Sequence, residues 1–149
     1  MENYKKLEHV KIIDNINESF DKYNKNYKKY LGYIEYLDIK VEIVKGINDH
    51  NLDEHHACLS NENISLDSNT NKLLAGHSVK GVFERLHQLE IGDTIKIVSL
   101  ENEYNYIVEK TFIVDDTDYK AIERDYDLTL ITCTINPNKR LIIKASIIA

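Results

Sequence analysis

Beyond Gly32 the chain settles into a period of two. The run Tyr33-Ile34-Glu35-Tyr36-Leu37-Asp38-Ile39-Lys40-Val41-Glu42-Ile43-Val44 alternates apolar, often β-branched side chains with polar ones and stops at Lys45-Gly46. That alternation suits a pleated, half-buried surface and reads as two short strands. Strand patterning returns at Lys72 to Ala75, Thr94 to Ser99, Tyr104 to Val114, Leu128 to Thr132 and Arg140 to Ser146. The Asn-, Asp-, Ser- and His-rich stretch from Asn48 to Asn71 reads as loop, with one short strand at His56 to Leu59. Val79 to Leu89 reads as a short helix with Val82, Phe83, Leu86 and Leu89 on one face, closed by an Ile91-Gly92-Asp93 turn. Seven or eight short strands with few helices predict a mainly β domain, a closed or nearly closed β-barrel with short peripheral helices. The single proline, Pro137, falls in the link before the last strand, where it removes no ladder hydrogen bond.

The first thirty residues differ. Leu7, Val10, Ile13, Ile16, Phe20, Tyr23, Tyr27 and Tyr30 recur three or four apart, the stripe of an amphipathic helix. Seven lysines against five acidic side chains make this segment mildly basic, whereas the rest of the chain is acidic. A helix packed on the domain is the expectation, with a helix lying near an anionic membrane as the alternative. The domain organisation expected is thus a helical segment over 1–30 and a barrel over 31–149.

A chain of 149 residues suffices for one core, and its formal charge of -6 gives no global positive field to draw nucleic acid. No apolar run approaches the ~18 residues needed to cross a bilayer, and the polar start lacks the apolar stretch of a signal peptide. The chain as it stands is expected to be soluble, with a membrane anchor outside it left open. Abundant Ile, Lys and Asn suit an AT-rich bacterial genome, in keeping with a Gram-positive source. Cys58 and Cys133 form no CxxC pair, which excludes a zinc ribbon and a dense disulfide scaffold.

Cys133 closes the segment Leu128-Thr129-Leu130-Ile131-Thr132-Cys133, where a buried strand ends, a place that can fix a nucleophile. Six residues separate it from Arg140, a spacing most simply met by a β-hairpin that sets thiol and guanidinium side by side. A guanidinium there favours thiolate over thiol and offers fixed donors to an oxyanion formed when sulfur attacks a carbonyl. His77 lies just past the end of another strand, in Leu73-Leu74-Ala75-Gly76-His77-Ser78, with Gly76 permitting close backbone approach. If that strand runs parallel and adjacent to the cysteine strand, imidazole and sulfur emerge together as a nucleophile and its proton donor must.

With those segments in order, the chain resembles the sortases, bacterial cysteine transpeptidases that attach proteins to the cell wall or to each other. Leu74-Ala75-Gly76-His77-Ser78, followed by Phe83, Leu86, Leu89, Gly92-Asp93 and Ile95, is similar to the family's Ala-Gly-His segment, helix and Gly-Asp turn. Thr129-Leu130-Ile131-Thr132-Cys133 resembles its Thr-Leu-x-Thr-Cys nucleophile motif, and Arg140 stands in the strand after it. The likeness runs from about Leu31 to Ser146, since Gly32-Tyr33-Ile34-Glu35 and Val41-Glu42-Ile43-Val44-Lys45-Gly46 also look like the opening strands. The sequence departs from the family at four places. Leu37 and Glu42 stand near positions where prolines are common, which implies more regular pairing of the opening strands. His55-His56-Ala57-Cys58 replaces a Gly-x-Gly-His stretch. No Asp-Pro-aromatic lid motif precedes Leu31, and no membrane helix is found at the N-terminus.

The resemblance implies a two-step acyl transfer. The Cys133 thiolate attacks a Thr-Gly-like bond of a sorting-signal peptide, Arg140 and backbone donors steady the oxyanion, and His77 protonates the leaving amine. An amine acceptor, such as a peptidoglycan precursor, then releases the acyl group at the outer face of the cell membrane. Thr132 and Leu130 are candidates for lining the peptide groove, with barrel packing as their alternative. A sortase-fold module that binds peptide without turnover, and a plain cysteine hydrolase, are the competing readings. No cofactor is expected, with calcium at the acidic stretch before the strand Leu128 to Thr132 as the less favoured alternative. His50, His55, His56 and Cys58 have no regular zinc spacing, and Asp115-Asp116-Thr117-Asp118 with Glu123, Asp125 and Asp127, where some sortases bind calcium, lacks the ligand spacing of an EF-hand loop and reads as a solvated turn and short helix.

Overall fold

The computed structural model describes residues 30–63, 65–67, 71–123 and 125–148, so the expected N-terminal helical segment over 1–30 lies outside the described residues except for Tyr30, which opens a strand. The described chain holds eight strands: β1 Tyr30–Tyr36, β2 Ile39–Lys45, β3 Ala57–Leu59, β4 Lys72–Ala75, β5 Thr94–Ser99, β6 Glu103–Asp115, β7 Leu128–Cys133 and β8 Lys139–Ile147. They close into a mixed barrel in the order β1-β2-β3-β4-β7-β8-β6-β5.

Two residues, Leu37 and Asp38, join β1 to β2, both with positive φ (47° and 65°). Such a turn matches the twist of a tight hairpin. At the closing seam Gly32 of β1 pairs with Ser99 of β5. There φ is +149° and a Cβ would sit 1.9 Å from the Val98 carbonyl oxygen, so only glycine lets the two strands approach.

Alternate residues enter the barrel, including Ile34, Tyr36, Val41, Ile43, Leu74, Ile95, Ile97, Leu128, Leu130, Leu141 and Ile143, and together form one apolar core. The expected helix over 79–89 is instead a turn followed by a 3₁₀ segment, Glu84–Gln88. Gly81 (φ +83°) interrupts the helical path, yet Val82, Phe83, Leu86 and Leu89 still all face the core as their spacing required. The loop after β2 carries a five-residue helix, α1 (Asp49–Asp53), that the polar composition concealed. Another 3₁₀ turn, Tyr119–Ile122, stands in the acidic stretch.

Two pairings position the ends of β4, β7 and β8 relative to one another. β4 runs parallel to β7, with Leu74 opposite Leu130 and Ala75 opposite Ile131. β7 and β8 form an antiparallel pair with Thr132 opposite Leu141 and Cys133 opposite Arg140.

Candidate active site

Leu128 and Leu130 point into the core, so the strand period turns Ile131 and Cys133 to the other face of the sheet. Cys133 is partly exposed at the end of β7. Directly opposed residues of an antiparallel pair project together with Cβ atoms roughly 4.5–5.5 Å apart, so Arg140 stands beside the thiol on the neighbouring strand. Both Nη1 protons of Arg140 are taken, by the carbonyls of Pro137 (2.8 Å) and Lys139 (3.0 Å). The guanidinium therefore pins its own β7–β8 connection, with Nε and Nη2 as the donors these two bonds do not use, and Arg140 is not among the residues that line the cleft beside Cys133.

On the other side of β7, the β4 ladder continues one step past the strand end, where the Gly76 amide donates to the Ile131 carbonyl (3.2 Å). His77 follows, and it lines the same cleft as Cys133. Gly76 is needed at this point because a Cβ would meet the Phe83 ring at 2.8 Å. Phe83 is fully buried and meets Tyr36 edge to face. The Tyr36 hydroxyl donates to the Val82 carbonyl, and burial pushes its ionisation up to about 12, so that it stays a neutral donor beneath the segment.

Thr132 is buried, and its Oγ1 donates to the Gly76 carbonyl at 2.8 Å. One hydroxyl thus ties the strand of the thiol to the segment of the imidazole. Thr132→Val keeps the shape but leaves that carbonyl without its donor, and is expected to cost about 1–2 kcal/mol. Urea unfolding checks this as a lower midpoint at unchanged slope. Leu130 is fully buried in the core cluster and is not among the residues that line the cleft.

The cleft encloses about 800 Å³. His77, Thr132 and Cys133 line it, and Val79, Phe83, Ile113, Ile135 and Leu141 supply apolar wall. Ile135 is fully exposed at the tip of the β7–β8 connection, a loop closed by its own bonds from Thr134 Oγ1 and the Lys139 amide to the Asn136 carbonyl. An exposed apolar rim over fixed polar groups suits an extended peptide. Sequence spacing pointed to none of Ile113, Ile135, Glu84 or His87 as cleft residues, because they come from three separate elements.

A further residue joins the site from α1: His77 Nε2 lies 2.9 Å from Asp53 Oδ1. No local motif links positions 53 and 77. The other histidines of that loop make different pairs, His50 with Glu54 at 3.4 Å and His56 with Glu54 and Glu42 at 3.7 and 3.8 Å. Cys58 is buried on β3. In the acidic stretch Asp115 pairs with Lys139, Asp118 caps the 3₁₀ turn, Asp125 meets the buried Lys144 at 2.7 Å, and Asp127 accepts from the Ile147 amide. The Lys144 hydrogen bond holds the Asp125 carboxyl below its ordinary range. Among the described residues no three His, Cys, Asp or Glu side chains form a set able to hold a metal ion. Among them, too, no helix is long and apolar enough to cross a membrane.

The family model described as Sortase domain matches residues 33–148. Sortase A of Listeria monocytogenes serovar 1/2a is 30% identical over 102 residues, which make up 65% of this chain and 45% of that protein. The chain therefore spans less than half the length of this curated relative. The crystal structure of Listeria monocytogenes sortase A matches at a TM-score of 0.71 and 28% identity, covering 81% of this chain and 88% of that one. Sortase C of Clostridium perfringens, solved with the C-terminal cell wall sorting motif, shares the fold at a TM-score of 0.70 and 23% identity, over 80% and 71% of the two chains.

Proposed function

The chain belongs to the sortase family, and from that premise we propose that it is a cysteine transpeptidase with Cys133 as nucleophile, His77 as proton carrier and Arg140 as oxyanion donor. One observation carries the reading. Parallel β4 and antiparallel β8 flank β7, which supports a site in which His77, just past the end of β4, and Arg140, opposite Cys133 on β8, stand on either side of the thiol.

In the first half-reaction the Cys133 thiolate adds to the carbonyl carbon of a Thr-Gly-like amide. The oxyanion that forms meets the Nε and Nη2 edge of Arg140 and backbone amides. Collapse breaks the C–N bond, and the His77 imidazolium gives its proton to the departing amine, leaving a thioester on Cys133. In the second half-reaction an acceptor amine attacks the thioester, its proton passes to His77, and the thiolate leaves as a new amide forms. The apolar rim at Ile113 and Ile135 suits an extended sorting-signal segment, in keeping with the sorting motif solved with the Clostridium perfringens relative. The acceptor is an amine of the cell envelope, such as a peptidoglycan precursor, and the reaction takes place at the outer face of the membrane.

Mass spectrometry tests this reading. The protein is incubated with peptides of the Leu-Pro-x-Thr-Gly and Asn-Pro-x-Thr-x types, with and without an added amine. A transpeptidase gives a thioacyl adduct on Cys133 and an amide product with the amine. An adduct without amide product makes the protein a hydrolase instead. No adduct across the whole panel leaves a peptide-binding module and ends the proposal.

A further inference from the structure

The carboxylate next to His77 is itself held in place. Asn48 Oδ1 accepts from the Asn51 amide at 2.9 Å and caps α1. The buried Asn51 side chain donates from Nδ2 to the carbonyls of Lys45 (3.1 Å) and Gly46 (2.9 Å), fastening the helix to the end of β2. His55, at φ 66°, turns the chain sharply out of the helix and on into β3. Asp53 closes this short, anchored helix, and its Oδ1 stands 2.9 Å from His77 Nε2.

A carboxylate can only accept a hydrogen bond, so Nε2 of His77 carries a proton and donates it. In the neutral ring the lone pair then lies on Nδ1 alone. We propose that Asp53 is a positioning residue for His77: it orients the ring through Nε2 and leaves Nδ1 as the nitrogen that gives its proton to the leaving amine and takes one from the acceptor. The inference rests on the acyl-transfer reading of Cys133 and His77, and adds to it a group from a loop with no part in the nucleophile motif. Proton balance is kept on one atom. Nδ1–H of the imidazolium is spent in the first half-reaction and regained in the second, while Nε2–H stays with Asp53 throughout.

Two arms test it, and one needs no substrate. The ¹⁵N shifts of His77, recorded where the ring is neutral, are expected to show protonation at Nε2 in the wild type and in Asp53→Glu, and a mixture of tautomers in Asp53→Ala. In the second arm Asp53→Ala is expected to slow thioester formation roughly tenfold or more at a KM within about twofold of wild type, the scale of losing a partner that orients a functional imidazole. Asp53→Glu, which restores the carboxylate at an exposed position, is expected to recover most of that rate. Protonation at Nδ1 in the wild type, an unchanged tautomer in Asp53→Ala, or equal losses in both variants overturns the proposal. A wild type that forms no adduct while His77 keeps its Nε2 proton removes the acyl-transfer reading and with it the catalytic half of the inference, leaving the Asp53 contact as a structural anchor.

Discussion

Cys133→Ala is expected to abolish the thioacyl adduct and to lower turnover by at least ~10⁴-fold, whereas Cys58→Ala leaves turnover within a few-fold of wild type. The contrast comes from where the fold puts the two thiols. Cys58 is fully buried on β3, with its Sγ 3.7 Å from the His56 carbonyl, and no carbonyl carbon of a peptide can reach it. Its loss removes one small buried group and costs packing only. Cys133 is partly exposed at the end of β7, with Arg140 opposite and His77 in the same cleft. The two hydroxyls adjacent in sequence are both engaged elsewhere, that of Thr132 with the Gly76 carbonyl and that of Thr134 with the Asn136 carbonyl, and neither is a thiolate. Intact mass after incubation with peptide reads the adduct directly, and circular dichroism of both variants establishes that each is folded. An adduct that survives in Cys133→Ala and vanishes in Cys58→Ala would assign the chemistry to the other thiol.

The strands were legible because their information is local. The alternation in Thr94–Ser99 depends on which side chains face the core, and the sequence runs place that strand and its neighbours within a residue or two of their structural bounds. The pairing of Cys133 with Arg140 was legible for the same reason, since a connection of six residues between two strands permits little besides a hairpin. The parallel neighbour on the other side was not. β4 and β7 are separated by more than fifty residues, and whether they meet is decided by closure of the whole barrel. For that reason His77 could be set beside Cys133 only as a condition, and with help from the family resemblance.

The Asp53–His77 contact was out of reach altogether. It depends on α1, a helix too short to show a period, whose position is set by bonds from Asn51 to the end of β2. Segment 79–89 failed in a different way. Its apolar spacing identified the buried face correctly, but Gly81 and the turn before Phe83 replaced the expected helix with a 3₁₀ segment. Burial pattern and backbone conformation are separate quantities, and in that segment only the first is encoded by spacing.

Arg140→Lys is expected to lower the rate of thioester formation by roughly 10²–10³-fold while leaving the fold intact, the range found when one fixed oxyanion donor is removed. The substitution keeps the positive charge beside Cys133, so any part of the reaction that needs only a nearby cation survives it. What it removes is geometry. Arg140 spends two protons on the Pro137 and Lys139 carbonyls, which fixes the plane of the guanidinium and leaves Nε and Nη2 as its remaining donors. A lysine ammonium has three donors at one point on a flexible stem, so holding the two carbonyls leaves at most one for the oxyanion and no fixed direction for it. The β7–β8 connection could also loosen when those carbonyls lose their partner, and this effect must be told apart from a lost donor. A loosened loop shifts Ile135 and the rim, which raises KM for the peptide; a missing oxyanion donor lowers kcat at nearly constant KM. Alkylation of Cys133 by iodoacetamide gives a second control, because that displacement passes through no oxyanion and responds only to thiolate content and access. The expected pattern is therefore a large fall in kcat, a KM within about threefold of wild type, and an alkylation rate that hardly moves. Wild-type kcat in Arg140→Lys would mean that charge alone suffices and that the fork has no part in the transition state.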